Sequence, residues 1–158
     1  MSKKKEPILV PVDFSPSSEL ALEYATDLAE ALGSKLLVLH VVHDPGDAPG
    51  YYAVKGRNNQ MRRLEDTAAD MLEAFMKKVR EKEPNKKPLK QAKTAMVVGL
   101  PVTRILELAA KVDARMIVMG SQGRTGLAHA MLGSKAEQVV RLAPVPVMIV
   151  KQSCEQQS

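Results

Sequence analysis

Aromatic residues are scarce in this sequence of 158 residues: they make up 3% of it, and tryptophan is absent. The core must therefore be built from aliphatic side chains and methionine, which a hydrophobic content of 45% can supply. No apolar run approaches the roughly 20 residues that cross a bilayer. We expect one globular domain over residues 1–151, a polar C-terminal tail over residues 152–158, and no membrane span.

Cysteine is almost absent as well. Cys154 is the one cysteine and lies in the polar tail, so no disulfide can form within the chain. Little use of cysteine is typical of a reducing compartment. The apolar run near the N-terminus is interrupted by Pro11 and Asp13, which argues against a signal peptide. We therefore expect a cytoplasmic protein.

The patterns that mark metal sites and activated nucleophiles are also missing. No group of His, Cys, Asp and Glu has the spacing of metal ligands, and nothing places a base beside Ser121 or Ser134. His40 lies within an apolar strand, which favours a position in the core. We expect no catalytic residue and no resident metal; Asp13 is a weak candidate ligand for Mg²⁺ that arrives with a nucleotide.

Charge is unevenly distributed along the chain, whose formal net charge is +5. The stretch from Lys77 to Lys93 holds eight basic residues against two acidic ones, a local net charge of +6. Such a patch could attract nucleic acid or acidic lipid. No aromatic residue lies among the lysines to stack on nucleobases. We interpret the stretch as a solvated helix end and loop, and expect no nucleic-acid partner.

Short apolar runs alternate with amphipathic runs along the chain. We predict strands at 8–12, 35–42, 92–98, 115–119 and 145–150, and helices at 16–32, 58–83, from Pro101 onward, and 134–142. Strand–helix–strand connections of this length are right-handed and pair their strands in parallel. The sequence thus predicts an α/β fold, an open doubly wound five-stranded parallel sheet with helices on both faces. Such sheets bind ligands beyond the carboxyl ends of their strands.

A glycine-rich segment from Gly120 to Ser134 joins the fourth strand to the last helix. A plain connection of this kind needs roughly 2–6 residues, so this one is long. Glycines let backbone N–H groups approach an anion, and a helix N-terminus carries partial positive charge. The spacing fits neither the Walker motif nor the dinucleotide fingerprint. The segment therefore predicts either a phosphate site or an extended turn.

Asp13 and Ser15 directly follow the first strand. In a parallel sheet they share one edge with the glycine-rich segment. Asp13 could accept hydrogen bonds from a ribose or an adenine amine. Alternatively, the two side chains serve only to cap the following helix.

The glycines have a specific spacing: Gly120, two residues, Gly123, nine residues, then Gly133 and Ser134. This pattern resembles the nucleotide-binding signature of the universal stress protein family in every fixed position. The segments VPVDFS at 10–15, LHVV at 39–42 and PVPVMIV at 144–150 agree with the family as well. The resemblance covers about residues 6–151.

The resemblance implies a sheet ordered 3-2-1-4-5, of the adenine nucleotide alpha hydrolase-like type, with ATP or AMP at the edge of strands 1 and 4. It implies that the nucleoside is contacted by Pro11, Val12, Asp13, Ser15, Val41, Val98, Gly99, Met119 and Gly120. It implies that the phosphates are contacted by Gly123, Arg124, Gly133 and Ser134. Mg²⁺ is expected only together with the nucleotide.

The chain departs from the family at three positions that we also assign to the nucleotide site. Members that bind ATP often have histidine where this chain has Gln122, and smaller or β-branched residues at Lys135 and Ala136. Gln122 can still donate and accept hydrogen bonds but cannot act as a base near neutral pH. Lys135 opposes the helix dipole, yet its charge favours a polyphosphate.

The resemblance further implies a homodimer through the strand at 145–150, and some relatives form tetramers. An apolar edge strand of this kind is a liability unless it is covered. We expect an ATP-binding, dimeric regulator in the stress response. A protein partner, which the sequence does not identify, would recognise its nucleotide-dependent state. The alternatives are a slow ATPase or self-phosphorylating enzyme, and a nucleotide-free interaction module such as a transporter regulator.

Overall fold

Five strands and five helices make up residues 6–43, 64–122 and 132–152, the parts of the chain that the computed structural model describes. The strands are β1 (Ile8–Pro11), β2 (Leu36–Val42), β3 (Lys93–Val98), β4 (Met116–Gly120) and β5 (Val147–Val150). The helices are α1 (Pro16–Leu32), α2 (Leu64–Lys82), α3 (Lys87–Lys90), α4 (Pro101–Lys111) and α5 (Ser134–Leu142).

The five strands form one parallel sheet in the order β3-β2-β1-β4-β5. The chain moves outward from β1 to β3, returns to lay β4 beside β1, and then adds β5. Strand order therefore reverses between β1 and β4, where a doubly wound sheet has its switch point. The predicted open sheet of order 3-2-1-4-5 is confirmed.

Apolar side chains cover the sheet on both faces. On one face, Ile8 and Val10 of β1 pack with residues of α1, α2 and α3 such as Leu22, Val79 and Leu89. On the other face, neighbouring strand residues pack with α4 and α5 through Leu9, Leu39, Ile117, Ile105, Ala109 and Val139. Successive residues of a strand point to opposite faces. A strand buried on both sides must therefore be apolar throughout, as β1 is.

Helix α1 has a clear start and a clear end. Ser15 is its N-cap and accepts a hydrogen bond from the Ser18 backbone N–H at 3.1 Å, and Pro16 opens the first turn. The helix ends where Gly33 adopts a left-handed φ of 65°, a conformation that glycine reaches without steric cost. The predicted bounds of 16–32 are confirmed.

Several predicted boundaries differ from the structure by one or two residues. β1 ends at Pro11 rather than residue 12, and β5 begins at Val147 rather than residue 145. Pro146 precedes β5, and its carbonyl accepts a hydrogen bond from the Ile117 N–H at 2.9 Å. The predicted helix at 58–83 is seen over α2, and residues 58–63 lie outside the described part. So do the predicted loop at 44–57 and Cys154.

The turn predicted between Pro84 and Pro88 contains a short helix instead, α3. The Arg80 guanidinium donates hydrogen bonds to the carbonyls of Leu89 and Ala92, both at 3.1 Å. Leu89 is fully buried in the core. The helix is thus held by contacts with α2 and the core that a local pattern of prolines and lysines does not reveal.

The lysine-rich stretch is predicted to be a solvated surface, but the structure differs. Several of its lysines form ion pairs with acidic residues of α1. Lys78 and Lys82 both contact the Glu19 carboxylate, and Lys86 lies 3.0 Å from Asp27. Burial raises the pKa of Glu19, but hydrogen bonds and charge from the two lysines outweigh burial and lower that pKa overall. Part of the local excess of positive charge is therefore neutralised within the protein.

Candidate functional site

The ladder between the two central strands ends early. Within the described residues, β1 and β4 are in register at Ile8 with Met116 and at Leu9 with Ile117. β4 stays in register with β5 as far as Gly120. The carboxyl ends of β1 and β4 are thus not paired with each other at the switch point, where doubly wound sheets bind ligands.

Pro11 explains why this ladder stops. The N–H groups of Ile8 and Val12 donate to carbonyls on the β2 side, each at 2.8 Å. Direction alternates along a strand, so the backbone nitrogen of Pro11 is on the β4 side. Proline has no N–H, and the ladder to β4 cannot continue through it. A proline in a central strand is acceptable here because it lies where pairing ends.

Helix α1 makes a close approach to the end of β4. A Cβ placed on Gly120 would lie 2.2 Å from the Ser17 hydroxyl oxygen and 2.9 Å from the Ser17 backbone carbonyl. Only glycine fits at such a distance. The Gln122 N–H donates to the same hydroxyl at 3.4 Å. The sequence analysis does not predict Ser17 as a site residue, because its signal is only that it belongs to a run of small residues at the start of α1.

Asp13 and Ser15 form the capping arrangement that the sequence left open as one alternative. The Asp13 carboxylate accepts hydrogen bonds from the Ser15 backbone N–H, at 3.0 Å, and from the Ser15 hydroxyl. Ser15 is buried, whereas Asp13 is half-buried at the carboxyl edge of the sheet. Capping therefore uses Asp13 without removing its carboxylate from that edge.

The residue between them, Phe14, has a φ of 68°, in the left-handed region. A bulky residue there carries steric strain, at roughly 1–2 kcal/mol. Its ring lies against the imidazole of His40 and the ring of Phe75 on α2. The turn thus directs Phe14 inward while Asp13 and Ser15 stay at the sheet edge.

His40 lies beneath this turn and is 1% exposed, which confirms the predicted core position. Its Nδ1 is 2.8 Å from the Val12 carbonyl, and because a carbonyl only accepts, Nδ1 carries the proton. Burial lowers the pKa of His40, and electrostatic interactions with His43 and Lys135 lower it further. The Val12 hydrogen bond and the negative charge of Asp13 oppose this shift without reversing it. His40 is thus a neutral donor.

The N-terminus of α5 is open, in contrast to that of α1. Its N-cap residue is Gly133, which has no side chain to cap the helix. Among the described residues, no acceptor bonds to the backbone N–H groups of the first turn, at Ser134, Lys135 and Ala136. Ser134 and Lys135 are exposed there. Amides with no acceptor among the described residues, a hydroxyl and a lysine at a helix start suit an anion.

Gly133 also closes the base of the glycine-rich segment. Its N–H donates to the Ser121 carbonyl at 2.7 Å, and a Cβ on Gly133 would lie 3.2 Å from that same carbonyl oxygen. Its backbone conformation, with φ of −60° and ψ of 151°, is open to any residue. The requirement for glycine here is therefore a matter of space.

The remaining predicted nucleoside contacts lie farther out along the same edge. Val41 is the last residue but one of β2, whose final residue Val42 is in register with Val98 of β3. The Gly99 N–H donates to the Val42 carbonyl at 2.9 Å. Gly99 has a φ of 149°, which favours glycine. Arg104 of α4 donates to the Val98 carbonyl at 3.1 Å. Val98 itself is 52% exposed at this edge.

The described members of the predicted site all lie at the carboxyl edge of the sheet or in the first turn of the following helix. Four of them bury their side chains in the core, so they face the edge mainly with backbone: Val12, Val41, Met119 and Ala136. Gly123 and Arg124, both predicted phosphate contacts, lie outside the described residues.

No helix in the described parts of the chain is both long and apolar enough to cross a bilayer. No cluster of three or more His, Cys, Asp or Glu side chains there could hold a metal ion.

Comparison with known proteins identifies relatives over nearly the full length. The model of the universal stress protein family matches residues 5–151. Universal stress protein MJ0577 of Methanocaldococcus jannaschii is 29% identical, over 96% of this chain and 98% of its own length. The solved structure of universal stress protein UspA from Lactobacillus plantarum has a TM-score of 0.73 at 25% identity, covering 95% of this chain and 100% of that one.

A solved relative carries a ligand. The structure of the universal stress protein from Archaeoglobus fulgidus in complex with dAMP has a TM-score of 0.62 at 26% identity. The similarity covers 92% of this chain and 98% of that chain.

Proposed function

This chain belongs to the universal stress protein family, and we propose that it binds an adenine nucleotide at the carboxyl edge of β1 and β4. The observation that carries the proposal is the contrast between the two helix N-termini at that edge. The start of α1 is capped by Ser15 beside the Asp13 carboxylate, whereas the start of α5 has a glycine N-cap, Lys135 in its first turn and no acceptor for its first amides among the described residues. A nucleotide has matching ends: a nucleoside that donates hydrogen bonds and a phosphate that accepts them.

The phosphates are proposed to lie at the start of α5. The first-turn amides there have no acceptor among the described residues, and the Ser134 hydroxyl and Lys135 ammonium are exposed beside them. Partial positive charge at a helix N-terminus stabilises an anion, and the lysine adds a full charge. The start of α1 cannot serve in the same way, because Ser15 already caps it and Asp13 would repel a phosphate.

The nucleoside is proposed to lie between Asp13 and the ends of β2 and β3. The half-buried Asp13 carboxylate can accept hydrogen bonds from ribose hydroxyls or from an adenine amine. The exposed Val98 provides apolar surface for a flat base, and Val41 faces the same edge mainly with its backbone. Because Pro11 has no N–H, β1 does not hydrogen-bond to β4 at this position. The two central strands therefore leave space between their carboxyl ends.

We propose ATP as the physiological ligand, with Mg²⁺ bound only through its phosphates. Lys135 supports the longer phosphate chain, since its charge is placed for phosphates beyond the first. The solved relative in complex with dAMP supports the adenine nucleotide class. We further propose a regulatory rather than catalytic role, in the stress response and the cytoplasm, in which a protein partner reads the nucleotide state.

The homodimer through β5 remains part of this proposal. β5 is an edge strand, and apolar side chains are exposed on it and on α5: Met148, Val140 and Leu142, at 38%, 48% and 59%. Pairing of two such edges about a twofold axis would cover them. Light scattering after size exclusion tests it: a dimer mass is expected, and a monomer at micromolar concentration would contradict the dimer without affecting the nucleotide site.

Titration calorimetry tests the nucleotide proposal directly. ATP, AMP and GTP are titrated into the purified protein after treatment that removes co-purified nucleotide. Micromolar affinity for ATP, on the order of −8 kcal/mol, is expected, with GTP far weaker. Absence of heat and of a melting shift with both ATP and AMP, in a folded sample, would end the proposal.

A further inference from the structure

We infer that Ser17 is a positioning residue that sets the distance between the nucleoside and phosphate halves of the site. The inference rests on the proposed function. Ser17 lies in the first turn of α1, two residues after the N-cap Ser15, and is 4% exposed. Its hydroxyl accepts a hydrogen bond from the Gln122 N–H, on the far side of the crevice between β1 and β4.

A short chain of contacts leads from Ser17 to the start of α5. Gln122 follows Ser121, whose carbonyl accepts the Gly133 N–H at 2.7 Å. Gly133 is the N-cap of α5, so a shift of Ser121 or Gln122 moves the open amides of that helix. The Ser121 N–H in turn donates to the Val150 carbonyl at 3.0 Å, which anchors this stretch to β5.

Gly120 leaves little slack in this contact. A Cβ on it would lie 2.9 Å from the Ser17 backbone, so helix and strand touch through their main chains. The buried Ser17 hydroxyl is therefore packed against Gly120, within hydrogen-bonding distance of the Gln122 N–H. Alanine at position 17 would fill nearly the same space but would offer no acceptor to Gln122.

The nucleoside half has its own support. Asp13, Ser15 and Ser18 form a capping network that does not use the Ser17 hydroxyl. Removal of that hydroxyl should therefore leave the Asp13 carboxylate in place. The start of α5 would lose one of its ties to α1. Loss of the Ser17 hydroxyl should thus weaken binding of the phosphate and leave binding of the base and the sugar unchanged.

The experiment compares the affinities of AMP and adenosine by calorimetry for wild type and Ser17→Ala. AMP is expected to bind the variant about fivefold more weakly, and adenosine within about twofold of wild type, since one hydrogen bond contributes about 0.5–1.5 kcal/mol. Ser34→Ala is the matched control. Ser34 is also buried, and its hydroxyl accepts from Arg115 at 2.8 Å at the opposite edge of the sheet. It should leave both affinities unchanged.

An unchanged ratio of AMP to adenosine affinity in Ser17→Ala overturns the inference, whether both ligands weaken together or neither does. Ser17→Cys should give an intermediate ratio, because a thiol is a weaker acceptor of similar shape.

A second readout does not depend on nucleotide. Amide exchange of Gln122, followed by NMR in the ligand-free protein, should be faster in Ser17→Ala than in wild type and unchanged in Ser34→Ala. Equal exchange rates would overturn the positioning role. A wild type that binds neither AMP nor adenosine would refute the proposed function alone, while the exchange rates still decide whether Ser17 holds Gln122.

Discussion

The ring of Phe14 stacks on the imidazole of His40, with ring centroids 4.3 Å apart and planes 30° from parallel. The stack joins the turn after β1 to strand β2. The ring of Phe75 on α2 also packs against Phe14, with ring centroids 5.7 Å apart. The strained backbone of Phe14 is thus held by aromatic packing. The edge position of Asp13 therefore depends on a contact among three side chains that are distant in sequence.

Phe14 offers a test of that strain by comparison of two variants. Phe14→Ala removes the ring and keeps the left-handed penalty, whereas Phe14→Gly removes both. We expect Phe14→Gly to be more stable than Phe14→Ala by about 1 kcal/mol in urea denaturation. At a residue with a negative φ the alanine variant would be the more stable of the two, because glycine there costs about 0.5–1 kcal/mol relative to alanine. A glycine variant equal to or weaker than the alanine variant would contradict strain at this residue.

Gly120→Ala should destabilise the protein through overlap with the main chain of Ser17. Overpacking of this kind costs about 1–3 kcal/mol, and the shift of α1 should also weaken ATP binding. Gly133→Ala is the control, since among the described residues its Cβ would come no closer than 3.2 Å, to the Ser121 carbonyl oxygen, in an ordinary conformation. Urea denaturation should show the larger loss for Gly120→Ala. Equal losses would show that α1 and β4 are not in such close contact.

Stability should fall as the pH drops below the ordinary pKa of His40. Its pKa in the folded protein is lowered from 6.5, mainly by burial, so the unfolded chain binds the proton first. The stabilisation is complete above pH 6.5 and is lost as the pH falls toward the folded pKa. NMR titration of the His40 ring should give a pKa below 6.5. A midpoint at or above that value would contradict a buried neutral imidazole.

Glu19 should stabilise the packing of α1 against α2 at neutral pH. Its pKa in the folded protein is lowered from 4.5, because Lys82 and Lys78 together outweigh burial. The contribution is therefore present above pH 4.5 and lost as the pH falls through the lower folded value. Both lysines are more than half exposed, so screening keeps the effect of Glu19→Gln to about 1 kcal/mol.

Glu107→Gln is the matched control for Glu19→Gln. Glu107 pairs with Arg104 on the surface of α4, where both side chains are well exposed. Its loss should change the free energy of unfolding by less than about 0.5 kcal/mol. Denaturation at pH 7 should separate the two variants; equal losses would mean that burial of Glu19 adds nothing to its ion pairs.

Lys135→Ala should reduce the affinity for ATP more than the affinity for AMP. The exposed ammonium lies in the first turn of α5, so its loss should weaken ATP about fivefold or more and AMP less, with both effects reduced at high salt. Lys111→Ala, in the last turn of α4, should leave both affinities unchanged. Calorimetry at two salt concentrations provides the measurement. Equal loss for ATP and AMP would place the outer phosphates elsewhere.

Much of the fold could be predicted because its signals are local. The run at residues 8–12 is apolar throughout and the run at 36–42 is apolar except for His40, as a strand covered on both faces requires. Ser15, Pro16 and Gly33 mark the ends of α1 by capping chemistry that depends on only a few neighbouring residues. The spacing of Gly120, Gly133 and Ser134 likewise predicted which edge of the sheet to search.

Other features depend on residues far apart in the chain. Helix α3 depends on the Arg80 guanidinium, and the pairing of Glu19 with Lys82 joins residues on two helices. The left-handed φ of Phe14 is unusual for phenylalanine, so no local preference predicts it.

The sequence by itself determined the order of strands and helices, the capping of α1 and the edge of the sheet at which we propose the site, because propensity, periodicity and capping act over a few residues. Only the tertiary structure decided that Pro11 ends the ladder to β4, that Ser17 meets Gln122, and that the start of α5 is tied to Ser121 through Gly133. These are distances between segments that meet only when the chain crosses from β3 back to β4, and no local pattern encodes them.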